Sequence, residues 1–428
     1  MKHTTDYDIL IAGAGPAGTH TALILARAGW RVALLDRREF PRKKPCGEFL
    51  SPACLPMLED LGLLQELLDG GAQRVFGMRL HAPSKRARGT YAKLGRFRPP
   101  ADDEAGFGLG MRREVLDNQA VRAAQREPGI SVLLGWRVHE PTLSAEGRVT
   151  GVSVTNPDGE RLSLTARFVI GADGLHSRIA RGLDWATRWE GQERFALVAR
   201  FRGVEGPPEA EVHILDGGDY FAACPIDDGL YTANLIVDKE ALNGGSNGGL
   251  EKLFRSKLEQ APGLGERLAD GDLDEPIVAL GPLRSATRRC TGPGVALVGD
   301  ACGFVDPFTG EGLFFAMRGA QMLARAVDAS LRAPHREAAA MRRYAWDRRR
   351  EFSPRYGFAK LLQRGLKCKR VPDRVIGLLG RRAALCDLLL GLTGDYVPPL
   401  GLLSPSVWRT ILFDSRVAGR TEASRLSG

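Results

Sequence analysis

The stretch Asp8-Ile9-Leu10-Ile11-Ala12-Gly13-Ala14-Gly15-Pro16-Ala17-Gly18 decides the fold, together with the helical pattern Thr19 to Ala28 and a second apolar run, Arg31 to Leu35, ending in Asp36. Asp8 to Ala12 has the short, continuous apolar character of a strand buried on both faces of a parallel sheet. Strand, glycine turn, helix, strand and terminal acid form one complete unit, the context without which a GxGxxG motif carries little weight. Gly13 permits the tight turn, Gly15 lets the backbone approach a pyrophosphate, and Gly18 lets the helix pack close to the sheet. Pro16 and Ala17 open the helix, whose N-terminus favours phosphate charge. Asp36, followed by Arg37, stands 18 residues beyond Gly18. A carboxylate there can accept both ribose hydroxyls and repels a 2′-phosphate, so the expected ligand is of adenosine diphosphate type, FAD or NAD.

Outward from this unit, 428 residues suffice for two or three domains, and 43% hydrophobic with 26% charged residues excludes disordered, collagen-like and coiled-coil chains. The net charge of +9 is local: Arg325 to Arg382 holds 17 Lys+Arg against 5 Asp+Glu, and the remainder is nearly neutral. That distribution argues against a nucleic-acid footprint. Seven scattered cysteines (Cys46, Cys54, Cys224, Cys290, Cys302, Cys368, Cys386) fit reduced thiols in a cytoplasmic protein, and no Cys/His spacing suggests zinc. No signal-peptide core and no uncharged apolar run of membrane-spanning length occur.

Two further segments separate FAD from NAD. Arg167-Phe168-Val169-Ile170-Gly171-Ala172-Asp173-Gly174-Leu175-His176-Ser177 is a strand breaking into a polar turn. Val295-Ala296-Leu297-Val298-Gly299-Asp300-Ala301 is a strand ending in an acid, followed by Pro307-Phe308-Thr309-Gly310-Glu311-Gly312 and a helix from Leu313 to about Leu331. With the first unit, they resemble the three fingerprints of the p-hydroxybenzoate hydroxylase-like FAD superfamily. The resemblance implies FAD, with Gly299 and Asp300 at the ribityl and pyrophosphate region and Asp173 and Gly174 near the pyrophosphate. Arg113, in Arg113-Glu114-Val115-Leu116-Asp117, matches the superfamily's arginine at the FAD phosphates. Pro307, Gly310, Glu311 and Gly312 would bring a helix N-terminus to the flavin pyrimidine edge, where exposed amides favour an anionic reduced ring. His176 reads as a loop residue rather than a base.

Phe40-Pro41-Arg42-Lys43-Lys44-Pro45-Cys46-Gly47-Glu48-Phe49-Leu50-Ser51-Pro52 is similar to the corresponding stretch of geranylgeranyl reductases, and flavin-dependent halogenases resemble it too. In the reductases this cysteine lies near the isoalloxazine; here Cys46, with Gly47 beside it, either tunes the site or donates a proton, or is simply a small buried apolar residue. Glu48 is either a polar group at the flavin or a solvated loop acid. Where such reductases and halogenases carry tryptophans at the substrate cavity, this chain has Asp219-Tyr220-Phe221-Ala222-Ala223-Cys224-Pro225. That departure disfavours halogenation, removes specific support for polyprenyl reduction, and makes Tyr220, Ala222, Cys224 and Pro225 the candidate substrate contacts.

The expected fold is α/β: a Rossmann-type FAD-binding domain from segments 1–73, 111–188 and 284–332, and a mostly antiparallel substrate sheet from 74–110 and 189–283. A helical, basic C-terminal region, 333–428, follows. Its Arg342-Arg343, Arg348-Arg349-Arg350 and Lys367 to Arg370 alternate with apolar runs, which read either as helices packed on the substrate domain or as a peripheral membrane contact. Neither Gly106-Phe107-Gly108-Leu109-Gly110 nor Gly244-Gly245-Ser246-Asn247-Gly248-Gly249 has the flanks of a second dinucleotide site, so NAD(P)H would visit the flavin as a transient electron donor, or another electron donor or acceptor would serve. The expected activity is hydride transfer at flavin N5 with a hydrophobic isoprenoid, polyketide or aromatic molecule. The alternatives are an aromatic monooxygenase working through a C4a-hydroperoxyflavin, and a non-catalytic flavin-binding protein that docks on a membrane or partner.

Overall fold

A computed structural model describes residues 5–45, 48–91, 106–187, 193–244, 249–283, 285–304, 310–399 and 405. Five parallel strands run in the spatial order Val295–Leu297, Arg161–Gly171, Tyr7–Ala12, Val32–Asp36, Ile130–Leu134. Ile9 and Ile11 enter the apolar core on one face, and Leu10 and Ala12 enter that on the other. Burial on both sides explains why this strand is a continuous apolar run rather than an alternating one. Helices Pro16–Arg27, Arg113–Arg126 and Gly312–Arg332 contribute to one core. The other lies under two antiparallel strands: Val149–Thr155 pairs with the first half of the long strand Arg161–Gly171, and Arg137–Leu143 pairs with Val149–Thr155.

The second large sheet has the order Asp272–Leu273, Arg194–Arg202, Tyr231–Asp238, Tyr220–Pro225, Ala210–Ile214, Gly77–His81, Arg86–Thr90. It is antiparallel apart from Ala210–Ile214, which runs parallel to Gly77–His81. Within the expected substrate segment 74–110, Gly108–Gly110 departs from this sheet: it pairs with Phe49–Leu50 and Gln73–Val75, and Leu109 belongs to the nucleotide-side core.

The C-terminal region is likewise not a separate body. The helix Glu337–Leu366 buries Met341, Tyr344 and Phe352 in the nucleotide-side core, whereas Leu366 joins the substrate-side core. Ile376 and Leu379 of Val371–Leu379, and Leu388 and Leu390 of Ala383–Thr393, complete that second core. Several of its cations are tied inward: Arg355 is buried against Asp395 at 2.8 Å, and Lys367 meets Asp238 at 2.7 Å.

Candidate active site

One continuous cavity of about 1180 Å³ extends from the glycine turn to the apolar face of the second sheet. At its polar end Gly13 has φ +104°, and a Cβ there would stand 2.4 Å from the Ala172 carbonyl oxygen. A Cβ on Gly18 would lie 1.8 Å from the Gly13 oxygen, so helix and turn touch only because Gly18 carries no side chain. Gly15, Pro16 and Ala17 line the cavity; Gly18 lies behind them, as a packing residue. No side chain caps the helix N-terminus at Gly15, which leaves its first amides directed at the cavity. Asp36 Oδ2 accepts from the Ala14 amide and Oδ1 from the Arg38 amide, both at 3.0 Å, which fixes the carboxylate at the cavity wall. Arg37 lines the same end.

Opposite this turn the structure gathers cations. Arg113 is buried and makes two bonds to Asp117, at 2.8 and 2.9 Å. Arg42 lies 3.5 Å from Asp117 and 3.8 Å from Asp36, and its Nε is buried without a hydrogen-bond partner. Lys44 lines the cavity, and burial, with Arg113 beside it, pushes its ammonium pKa down despite Asp300 and Asp117. Asp173 is held by the Arg178 amide at 2.6 Å, its Oδ1 has no partner, and burial pushes its carboxyl up. Asp300, Gly299, Gly310 and Gly312 complete this wall.

The polar end fits a dinucleotide. Its glycines leave no room for side chains, its helix amides are open, and Lys44, buried beside Arg113 and Arg42, is a cation that a phosphate would stabilise. Arg42 and Lys44 were not assigned from the sequence; the signal was the Arg42-Lys43-Lys44 run, of which Lys43 instead pairs with Glu275.

Other expected residues stand elsewhere. Cys46, Gly47 and Pro307 lie outside the described residues. Glu48 is neither solvated nor on the cavity wall: it is fully buried at φ 56°, paired through both oxygens with Arg200, which also meets Glu114 at 3.3 Å. Burial pushes its carboxyl up and Arg200 opposes this, so the catalytic assignment gives way to a strut between loop and sheet. Glu311 turns from the cavity towards Arg355, 3.6 Å away, because the helix start places it on the buried side. Tyr220 and Pro225 also miss the wall: Tyr220 shares the face and core of Ala222 and Cys224 but packs beneath Arg194 at the strand start, and Pro225 alternates to the other face.

Ala222 and Cys224 do line the apolar end, with Met78, Leu80, Val212 and Ile236 on the sheet and Leu362, Leu366, Ile376 and Leu390 on the helices facing it. Into this surface projects Asn234, 3% exposed, with Nδ2 on Thr232 at 3.2 Å and Oδ1 unpartnered. Asn234 also went unassigned from the sequence; its one signal was an amide in the alternating run Tyr231-Thr232-Ala233-Asn234-Leu235.

Comparison with known proteins agrees with this geometry. A family model described as FAD binding domain matches residues 6–352. Conditioned medium factor receptor 1 of Dictyostelium discoideum is 29% identical over 342 residues, 75% of this chain; the chain spans 63% of that relative's length. Digeranylgeranylglycerophospholipid reductase 2 of Methanopyrus kandleri is 28% identical over 362 residues, covering 83% of this chain and 85% of the relative. The solved structure of the myxobacterial chondrochloren halogenase CndH superposes with a TM-score of 0.76 at 25% identity, over 90% of both chains. With its fingerprints gathered around one cavity and the family model spanning both large sheets, the chain belongs to the FAD-binding domain family and is an FAD-dependent enzyme.

Proposed function

We propose that the protein is an FAD-dependent oxidoreductase that exchanges hydride with a hydrophobic small molecule of isoprenoid, polyketide or aromatic type. The observation that carries this reading is the continuity of the cavity: the polar cradle and an apolar chamber share one continuous space. Bound FAD supplies hydride transfer at its N5, and NAD(P)H is the electron donor under this reading. Similarity to the archaeal reductase supports the reductive direction.

The chain's own residues bind, orient and exclude water. Gly13, Gly15 and the open helix amides receive the pyrophosphate, Arg42, Lys44 and Arg113 balance its charge, and Asp36 accepts ribose hydroxyls. Val212, Ala222, Ile236, Leu366 and Leu390 hold the hydrocarbon and keep water from the reacting carbon. Asn234 Oδ1 accepts a hydrogen bond from a donor group there, which orients the bound molecule in an otherwise apolar chamber.

We further propose that the chamber opens towards an anionic lipid surface. Leu361 and Val375 line the cavity yet are 64% and 44% exposed, and Lys360, Arg364, Lys369, Arg370 and Arg374 flank them in sequence. Among the described residues no helix is long and apolar enough to cross a membrane, so the contact would be peripheral.

The deciding experiment compares turnover of lipophilic candidate substrates with NAD(P)H in anaerobic and aerobic buffer. Undiminished anaerobic turnover is the expected result. Turnover that requires oxygen and consumes it stoichiometrically would replace this reading with hydroxylation, and absence of turnover in both would favour a flavin-binding docking protein.

A further inference from the structure

The face of the second sheet turned away from the chamber carries a donor set that flavin chemistry leaves unused. His81 ends the strand Gly77–His81 and stands directly opposite His213 in the parallel strand Ala210–Ile214. Their rings stack with centroids 4.1 Å apart and planes within 7°. Glu211 precedes His213 by two residues and therefore shares its face, while Val212 and Ile214 between and beyond them point into the chamber-side core. His81 Nε2 and His213 Nε2 lie 3.6 and 3.7 Å from Glu211 Oε1. Both nitrogens are buried and neither has a hydrogen-bond partner.

These separations are too long for hydrogen bonds. The distances are close to what a shared cation requires, since metal–ligand bonds of about 2.0–2.1 Å in a tetrahedral site place neighbouring ligand atoms about 3.4 Å apart; two rings within 7° of parallel cannot both aim in-plane lone pairs at one ion, so binding turns the half-buried His81 ring out of the stack. All three donor atoms lie within 4.8 Å of one another. The other carboxylate oxygen, Oε2, accepts from the Tyr231 hydroxyl at 2.6 Å and from the Arg267 guanidinium. Those two bonds fix the carboxylate plane and leave Oε1 facing the imidazoles, the outer support that metal ligands ordinarily have.

We infer that His81, Glu211 and His213 form a site for one tetrahedral divalent cation of the zinc type. The fourth position faces the His81 side, where the ring is half-buried and water can enter. Two imidazoles and one carboxylate select zinc or its transition-metal neighbours over magnesium and calcium, which prefer an all-oxygen shell. One bond is exchanged: Arg86 Nε donates to His81 Nδ1 at 3.2 Å, and ligation through Nε2 moves the ring proton to Nδ1, returning exposed Arg86 to water. The cation would clasp Gly77–His81 to Ala210–Ile214, strands 130 or so positions apart in the chain whose opposite faces carry the chamber residues Leu80 and Val212.

The test uses the full chain with FAD bound, stripped with EDTA, and titrated calorimetrically with ZnCl₂ or MgCl₂. The expected result is one zinc per chain with a raised Tm, and no comparable magnesium binding. His81→Asn and His213→Gln are each expected to weaken zinc by more than about 100-fold, beyond what loss of an outer-shell partner costs, while retaining the flavin spectrum. His81 is at the strand end, so His81→Asn serves if His213→Gln does not fold. Absence of stoichiometric zinc binding in the unsubstituted protein, or binding that both variants keep because thiols provide it, would overturn the inference.

Discussion

The two ends of the cavity are built differently. The nucleotide cradle is made of glycine turns and strand termini whose chemistry is local, since Gly13 to Gly18 and Asp36 act within one supersecondary unit. The chamber is made of single side chains from many strands and helices, among them Leu80, Val212, Ala222, Asn234, Leu366 and Leu390. Backbone shape is written in short motifs, because only particular residues adopt it. An apolar surface is not, because many residue choices produce one.

The largest effect that tests this contrast should come from the cradle. Gly18→Ala places a methyl group 1.8 Å from the Gly13 oxygen, beyond the clash that about 1–3 kcal/mol of overpacking describes; the purified variant should be colourless, by its flavin-to-protein absorbance ratio. Retained stoichiometric FAD would mean that helix and turn are not locked together as the structure has them.

Next is acid. Burial lowers the His20 pKa from 6.5 to about 4, in the helix that follows the turn. Its folded pKa lies below its unfolded one, so its contribution is complete above pH 6.5 and is lost as pH falls towards 4. The loss amounts to about 3 kcal/mol. Urea unfolding between pH 7 and 4 should show it, and His20→Leu should flatten that slope.

Lys44→Met is expected to weaken FAD by roughly 10- to 100-fold, the range of a charge-assisted hydrogen bond, measured by fluorescence titration of the apoprotein. An unchanged affinity would place the phosphate charge with Arg42 and Arg113 alone. The chamber variants should spare FAD altogether. Asn234→Leu removes the unpartnered Oδ1 and should change KM or kcat by about tenfold for substrates with a hydrogen-bond donor, and not for hydrocarbons. If Asn234→Leu also released FAD, the division between cradle and chamber would be wrong.

Legibility followed the same division. Asp36, Asp173, Asp300 and Gly310 sit at the polar wall because strand ends and turns put them there. The side chains of Glu48 and Glu311 share one departure from the cavity: each sits next to a motif, but an arginine distant in sequence, Arg200 for one and Arg355 for the other, draws it into the interior. Arg42 and Lys44 stood in a visible basic run, and what separates them from Lys43 is its pairing with Glu275, 232 residues along the chain.

By itself the sequence determined the cofactor class and the α/β architecture, because glycine geometry, strand periodicity and a terminal acid are local consequences of residue type. The net charge of +9 was also read correctly as local, but only the tertiary structure showed that the basic C-terminal helices complete both cores and roof the chamber. The orphaned Asn234 and the facing His81, Glu211 and His213 were likewise decided in three dimensions. Such sites depend on strand register between distant segments, and register is fixed by the packing of the whole sheet rather than by any stretch of it.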